Sequence, residues 1–111
     1  MKILVTGGSG FIGGHLINAL SKHHEVYCVL RNRAMSDSIY KHLIIANLSD
    51  CNFTEALPMH VDCIIHLAQS RKYRDFPDGV EDMRVVNIDA TAVLLEWARK
   101  TKVKQFIFAS K

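Results

Sequence analysis

A chain of 111 residues has the length of one domain, and 49% apolar residues are enough for a packed core, which excludes a disordered or fibrous protein. The net charge of +3 is small and the basic residues are spread along the chain, which gives no case for nucleic-acid binding. No apolar run is long enough to span a membrane.

Strands and helices are predicted to alternate along the chain. Runs rich in Val, Ile, Leu and Phe predict strands over residues 2–6, 25–30, 42–46, 62–67 and 103–109. Helical segments are predicted over about residues 11–23 and 80–101, with a weaker one near 35–41 and a short one near 53–57. This alternation predicts an α/β fold with a parallel five-stranded sheet, order 3-2-1-4-5, and helices on both faces.

A glycine-rich turn, TGGSGFIG at residues 6–13, follows the first strand. A tight turn, a bare backbone beside phosphates and a helix that starts close to its strand together suit a dinucleotide pyrophosphate, and they can be supplied by Gly7, Gly8, Gly10 and Gly13. The turn fits both the GxGxxG and the GxxGxxG spacing, so glycine spacing alone does not distinguish between the families of dinucleotide-binding proteins. A turn without a ligand is the weaker alternative, and a P-loop is excluded because no Lys followed by Ser or Thr closes it.

The carboxyl ends of the strands define the candidate site, because such a sheet binds its ligand where the strand order reverses beside the first strand. After the second strand, Leu30 occupies the position where a carboxylate would favour NAD, and Arg31, Asn32 and Arg33 follow. A guanidinium can bind a 2′-phosphate, so we predict NADP in preference to NAD. Solvated loop charges are the alternative interpretation of both arginines, and it is stronger for Arg33.

The number and spacing of the three cysteines indicate the redox state of the cellular compartment. Cys28, Cys51 and Cys63 are odd in number and lack the close CxxC spacing of zinc or redox sites. Cys28 and Cys63 fall inside apolar runs, so we expect buried, reduced thiols in a cytoplasmic protein. The histidines lack metal-ligand spacing, and we assign no metal site.

Four motifs in the sequence resemble those of a known family. TGGSGFIG at 6–13 looks like TGGxGFIG, DCIIHLA at 62–68 like DVVIHLA, VNIDATAVLLEWARK at 86–100 like VNVxGTxNLLEAARK, and VKQFIFAS at 103–110 like VKRFVYSS. These motifs are typical of the N-terminal half of extended short-chain dehydrogenase/reductases, the NAD-dependent epimerase/dehydratase family. The resemblance implies that residues 1–111 are the N-terminal part of a single NAD(P)-binding Rossmann domain.

The resemblance also implies roles for individual residues. Phe11 and Ile12 would lie beside the cofactor, and Asn47, followed by Leu48, would hydrogen-bond adenine where the family has an aspartate. Asn87 matches an asparagine near the nicotinamide end, and its alternative interpretation is a polar residue satisfied by backbone. The nicotinamide ribose side would be lined by Leu67, Ala68, Gln69 and Arg71.

The catalytic motif of the family does not occur in this sequence. Its chemistry needs YxxxK and a serine or threonine, but none of Tyr27, Tyr40 and Tyr73 has lysine at the fourth following position. We assign no catalytic residue and expect a truncated chain whose parent is an epimerase, dehydratase or reductase acting on a nucleotide sugar or another small molecule. The alternative is a non-catalytic, NADP-sensing regulatory protein of the same fold.

Two further expectations concern His66 and the last strand. His66, in the HLA part of its motif, is expected to be a structural histidine rather than an acid or base. The run QFIFA within the last strand would leave an apolar edge, so we expect self-association.

Overall fold

The computed structural model describes residues 1–7, 11–30, 42–50, 52–67, 78, 81 and 84–108. The described part of the chain contains five strands, two α-helices and two other helical turns, together with α-helical residues at Glu81 and Arg84. In chain order they are β1 (Lys2–Thr6), α1 (Phe11–Leu20), β2 (Glu25–Leu30), β3 (His42–Ile45), a 3₁₀ turn (Phe53–Ala56), β4 (Cys63–His66), a π-helical turn (Val85–Asp89), α2 (Ala90–Lys100) and β5 (Gln105–Phe108).

All five strands form one parallel sheet in the order β3-β2-β1-β4-β5, which confirms the predicted order. β1 lies at the centre, where Thr6 is in register with Val29 of β2 on one side and with His66 of β4 on the other. Because the strands are parallel and in register, their carboxyl ends meet at one edge of the sheet.

Alternate residues of the central strands are buried on opposite faces of the sheet. On the first face, Val5 and Cys28 pack with Ile17 of α1. On the second face, Leu4 and Ile64 pack with Leu94 of α2. The helices therefore cover both faces, as the sequence predicts, and the continuous apolar runs of the central strands follow from burial on both sides.

The first helix is shorter than predicted. α1 ends at Leu20 rather than near residue 23, because the chain reverses there to start β2. The backbone N–H groups of His23 and His24 both bond to the Leu20 carbonyl oxygen, at 3.1 and 2.9 Å, and close the helix with a turn. The N–H of Glu25 then bonds to the Met1 carbonyl oxygen at 3.0 Å, which begins the pairing with β1.

The described residues of the last predicted helix, over about residues 80–101, are helical, but five of them form a π-helical turn. Glu81 and Arg84 are α-helical, the π-helical turn follows at Val85–Asp89, and α2 continues the helix from Ala90. The helix ends in a Schellman motif, in which the N–H of Val103 bonds to the Ala98 carbonyl oxygen and Lys102 adopts a left-handed φ of 60°. This tight reversal leads directly into β5.

The other elements agree with the sequence to within one or two residues at each end. The short segment near residue 53 is a 3₁₀ turn, and its Phe53 is buried on the second face. The predicted segment near residues 35–41 lies outside the described residues. None of the described helices is long and apolar enough to cross a membrane.

The strand β5 forms one edge of the sheet and pairs with β4. Its side chains are only partly covered by the described residues: Ile107 is 41% exposed and Phe108 is 49% exposed. The expected apolar edge is therefore present.

Candidate functional site

The carboxyl edge of the sheet brings several of the predicted site residues together. Gly7 directly follows β1, Leu67 directly follows β4, and Asn47 comes two residues after the end of β3. The N–H of Leu67 bonds to the Thr6 carbonyl oxygen at 3.1 Å, which holds the ends of β1 and β4 side by side. The edge beside the central strand is the location that the sequence predicts for the ligand.

The glycine turn begins in a conformation that favours glycine. Gly7 has a φ of 76°, in the left-handed region where a Cβ is strained. α1 starts four residues later at Phe11, and its first turn carries no acidic side chain to compete for the positive end of the helix dipole. The backbone N–H groups of such a turn and helix start suit an anion.

The two glycines inside α1 have different surroundings. Gly13 is buried in the first turn of α1. Gly14 is half-buried, and a Cβ added there would meet no atom within 4 Å. Space for a side chain therefore exists at Gly14.

On the predicted adenine side, Asn47 already makes a local turn. Its Oδ1 accepts the N–H of Ser49 at 2.9 Å, and its carbonyl oxygen accepts the N–H of Asp50 at 2.9 Å. A carbonyl oxygen has a second lone pair, so Oδ1 can accept an adenine amino group as well. Leu48 packs against the core of the second face, and Leu30 is 4% exposed at the end of β2.

At the end of β4, His66 is fully buried and hydrogen-bonded through both ring nitrogens. Nδ1 lies 2.6 Å from Thr6 Oγ1, and Nε2 lies 2.9 Å from Thr91 Oγ1 of α2. The ring centroid is 6.3 Å from that of Phe106 and 5.5 Å from that of Phe108. Burial lowers the pKa of His66 to about 4, so the ring is neutral at pH 7. The expectation of a structural histidine agrees with this environment.

The directions of these hydrogen bonds select one tautomer. Thr91 Oγ1 donates to the Asn87 carbonyl oxygen at 3.0 Å, so it accepts from His66, and Nε2 carries the proton. Thr6 Oγ1 accepts the Leu67 N–H at 3.1 Å and donates to the bare Nδ1. The four hydrogen bonds therefore form one continuous chain in which each group donates to the next, from the Leu67 N–H at the end of β4 to the Asn87 carbonyl oxygen before α2.

Asn87 lies within the π-helical turn. Short π-helical segments of this kind are frequent at functional sites. Its carbonyl oxygen is held by the Thr91 hydroxyl, so the backbone of the turn is tied to α2 and, through His66, to β1. Thr6 and Thr91 were not among the predicted site residues. The available signals were a polar residue at the buried end of an apolar strand and a threonine four residues after Asn87.

Several predicted site residues have no described geometry. Backbone alone is described for Phe11 and Ile12. Outside the described residues lie Gly10, Arg31, Asn32, Ala68, Gln69 and Arg71. Their assignment to the site stays a prediction.

An open depression of about 700 Å³ lies at the opposite, amino edge of the sheet. There Asp62 accepts the backbone N–H of Lys2 at 2.8 Å and lies 3.5 Å from His60 Nε2. The bond from Lys2, followed by the charges of His60 and Lys104, lowers the pKa of Asp62. Among the residues that the structure describes, no group of three His, Cys, Asp or Glu side chains is placed to hold a metal ion. The depression lies away from the glycine turn and is not part of the candidate site.

The family model of the NAD dependent epimerase/dehydratase family matches residues 3–110. A crystal structure of a UDP-galactose 4-epimerase is 31% identical, with a TM-score of 0.81, and the match covers all of this chain and 38% of that chain. A short-chain dehydrogenase/reductase superfamily protein from Agrobacterium tumefaciens, with bound NAD, is 26% identical, with a TM-score of 0.86, over all of this chain and 33% of that one.

Among curated proteins, the photosystem II assembly factor Ycf39 of Trieres chinensis is 27% identical over 99% of this chain and 34% of its own length. The chain spans 34 to 37% of the length of three of the curated relatives that it matches.

The burial of His66 predicts a pH-dependent stability. Its pKa is about 4 in the folded chain and about 6.5 when unfolded, so the unfolded state binds more protons between these values. The free energy of unfolding should therefore fall as the pH drops from 7 to 4, by about 3 kcal/mol from this group. Urea titrations across this range measure the fall. It should become smaller in His66→Gln and persist in a variant of an exposed histidine, His23→Gln. An equal fall in wild type and His66→Gln would contradict the prediction.

Proposed function

Since the chain belongs to the NAD-dependent epimerase/dehydratase family, we propose that it forms the N-terminal part of a single Rossmann-type domain and binds NAD or NADP at the carboxyl edge of its sheet. The observation that carries the proposal is the left-handed Gly7 between the end of β1 and the start of α1. A glycine there lets the backbone approach a pyrophosphate closely, and the helix start favours its charge.

Within this site, we assign one task to each part. The glycine turn holds the pyrophosphate, Asn47 bonds to the adenine amino group, and Leu67 and Asn87 lie towards the nicotinamide. The bound dinucleotide would supply the hydride acceptor and donor of the reaction. Buried His66 is neutral and already bonded through both ring nitrogens, so it serves neither as acid nor as base.

The proposed reaction of the whole protein is hydride transfer during epimerisation, dehydration or reduction of a nucleotide sugar or a related small molecule. Its support is the family membership and the similarity to a UDP-galactose 4-epimerase. No catalytic residue is assigned here, because the sequence lacks YxxxK. The NADP-sensing alternative has no such support: none of the three proteins compared above is described as a dinucleotide sensor.

A cytoplasmic location is part of the proposal. Cys28 and Cys63 are free and buried, and burial raises the pKa of Cys28 to about 11. Such thiols remain protonated and unreactive, as expected for packing cysteines in a reducing compartment.

A glycine pair tests dinucleotide binding. Gly7→Ala should weaken NAD and NADP binding about tenfold or more, because a Cβ is strained at a left-handed φ and stands beside the pyrophosphate. Gly14→Ala is the matched control: it fills open space, should stabilise α1 by about 0.5–1 kcal/mol, and should leave affinity unchanged. Isothermal titration calorimetry measures affinity, and urea unfolding measures stability. Absence of wild-type binding at millimolar dinucleotide, or equal affinity in Gly7→Ala, would refute the proposal.

For the choice of cofactor, we propose NADP over NAD. β2 ends in buried Leu30 instead of a carboxylate, and Arg31 follows it in the sequence. Arg31→Ala should lower NADP affinity about tenfold and leave NAD affinity nearly unchanged, since only NADP has the 2′-phosphate. Arg33→Ala, the control, should change the ratio of the two dissociation constants less. An unchanged ratio in Arg31→Ala would contradict the preference.

We further propose that the chain self-associates through β5. Its half-exposed Ile107 and Phe108 flank an open edge of strand backbone. Sedimentation velocity should detect oligomers that increase with concentration, and Ile107→Lys should shift them towards monomer. Ile45→Lys, with similar exposure on the opposite edge strand β3, should leave association in place. A monomer at the highest concentration, or equal effects of both substitutions, would argue against β5 pairing.

A further inference from the structure

Two residues outside the predicted site connect its two halves. Thr6 is the last residue of β1 and precedes Gly7, whereas Thr91 belongs to α2 and holds the Asn87 carbonyl oxygen. The His66 ring lies between them, 2.6 Å from Thr6 Oγ1 and 2.9 Å from Thr91 Oγ1. The glycine turn and the π-helical turn are thus joined by side chains across the second face of the sheet.

We propose that His66 and Thr91 are positioning residues for the dinucleotide, because their hydrogen bonds fix the π-helical turn carrying Asn87 relative to the glycine turn after β1. This rests on the proposed function, since it requires the dinucleotide to lie between these two turns. Neither residue needs to touch the ligand. Their effect is to hold both sides of the site in place before binding, which reduces the entropy lost on binding.

The surroundings of the His66 ring hold it in this hydrogen-bonded position. His66 is fully buried against Phe106 and Phe108, so its ring cannot leave the face without exposing an apolar surface. With Nε2 protonated, the ring accepts from Thr6 and donates to Thr91, and both threonine hydroxyls still satisfy their other partners. Loss of the Thr91 hydroxyl would remove the acceptor of the buried Nε2–H and the side-chain bond from Thr91 to the Asn87 carbonyl oxygen.

The chain contains a matched control for the role of Thr91 in α2. Thr101 Oγ1 donates to the Trp97 carbonyl oxygen at 2.9 Å, which is the same bond to the fourth preceding residue that Thr91 makes to Asn87. Thr101 lies at the other end of the helix, and its described bonds do not involve His66. The two threonines therefore share the local helix contact and differ in the link to the site.

Calorimetric titration of NAD and NADP into the wild-type chain, Thr91→Val, Thr91→Ser and Thr101→Val tests the proposal. Thr91→Val should bind about three- to tenfold more weakly, the effect of one lost hydrogen bond. Thr91→Ser, which keeps the hydroxyl, and Thr101→Val should both stay within about twofold of wild type. Circular dichroism establishes that each variant is folded at the titration temperature.

Nitrogen-15 NMR of the His66 ring gives a readout that a general loss of helix stability would not produce. The wild type and Thr101→Val should show the Nε2–H tautomer. Thr91→Val should populate the Nδ1–H tautomer, because Nε2 has lost its acceptor while Thr6 can accept from Nδ1.

The outcomes separate this inference from the proposed function. Failure of the wild type to bind either dinucleotide overturns both. Wild-type binding with unchanged affinity in Thr91→Val, or with equal weakening in Thr101→Val, overturns the positioning role alone. An unaltered His66 tautomer in folded Thr91→Val also overturns it.

Discussion

Burial of the central strand on both faces is the constraint from which the rest of this fold follows. Leu4 and Val5 of β1 are both fully buried, and they point to opposite faces of the sheet. Each apolar face must be shielded from water, so α1 packs on one face of the sheet and α2 on the other. The direction of the sheet order reverses at β1 as a result, and this reversal opens the edge where Gly7 lies.

The same constraint explains which elements were predictable. β1 and β2 have the bounds that the sequence predicts, since strands buried on both faces are continuous apolar runs ended by polar residues or glycine. The described residues of the predicted helix over about residues 80–101 are helical, but the π-helical turn within it was not predicted, because helical periodicity is nearly the same in an α-helix and a π-helical turn.

The residues of the candidate site likewise include some that could be placed from the sequence and some that could not. Gly7 and Leu67 could be placed from the sequence because they follow strands whose order was predicted, and parallel strands end at one edge. Asn47 could be placed, but not its Asx turn with Ser49, which depends on local backbone angles. Thr6 was missed because its role depends on the register of two strands. Thr6 of β1 lies beside His66 of the adjacent strand β4 and bonds to it, although the two residues are 60 positions apart in the chain.

The position of Trp97 gives this fold a built-in optical reporter. It is the chain's single tryptophan, and it packs half-buried against the core of the second face, on the helix that begins directly after the π-helical turn. Its indole emission reports on the docking of α2 against the sheet with no background from other indoles. Separation of this helix from the sheet would expose the indole to water, so the detachment of one crossover can be followed without any label.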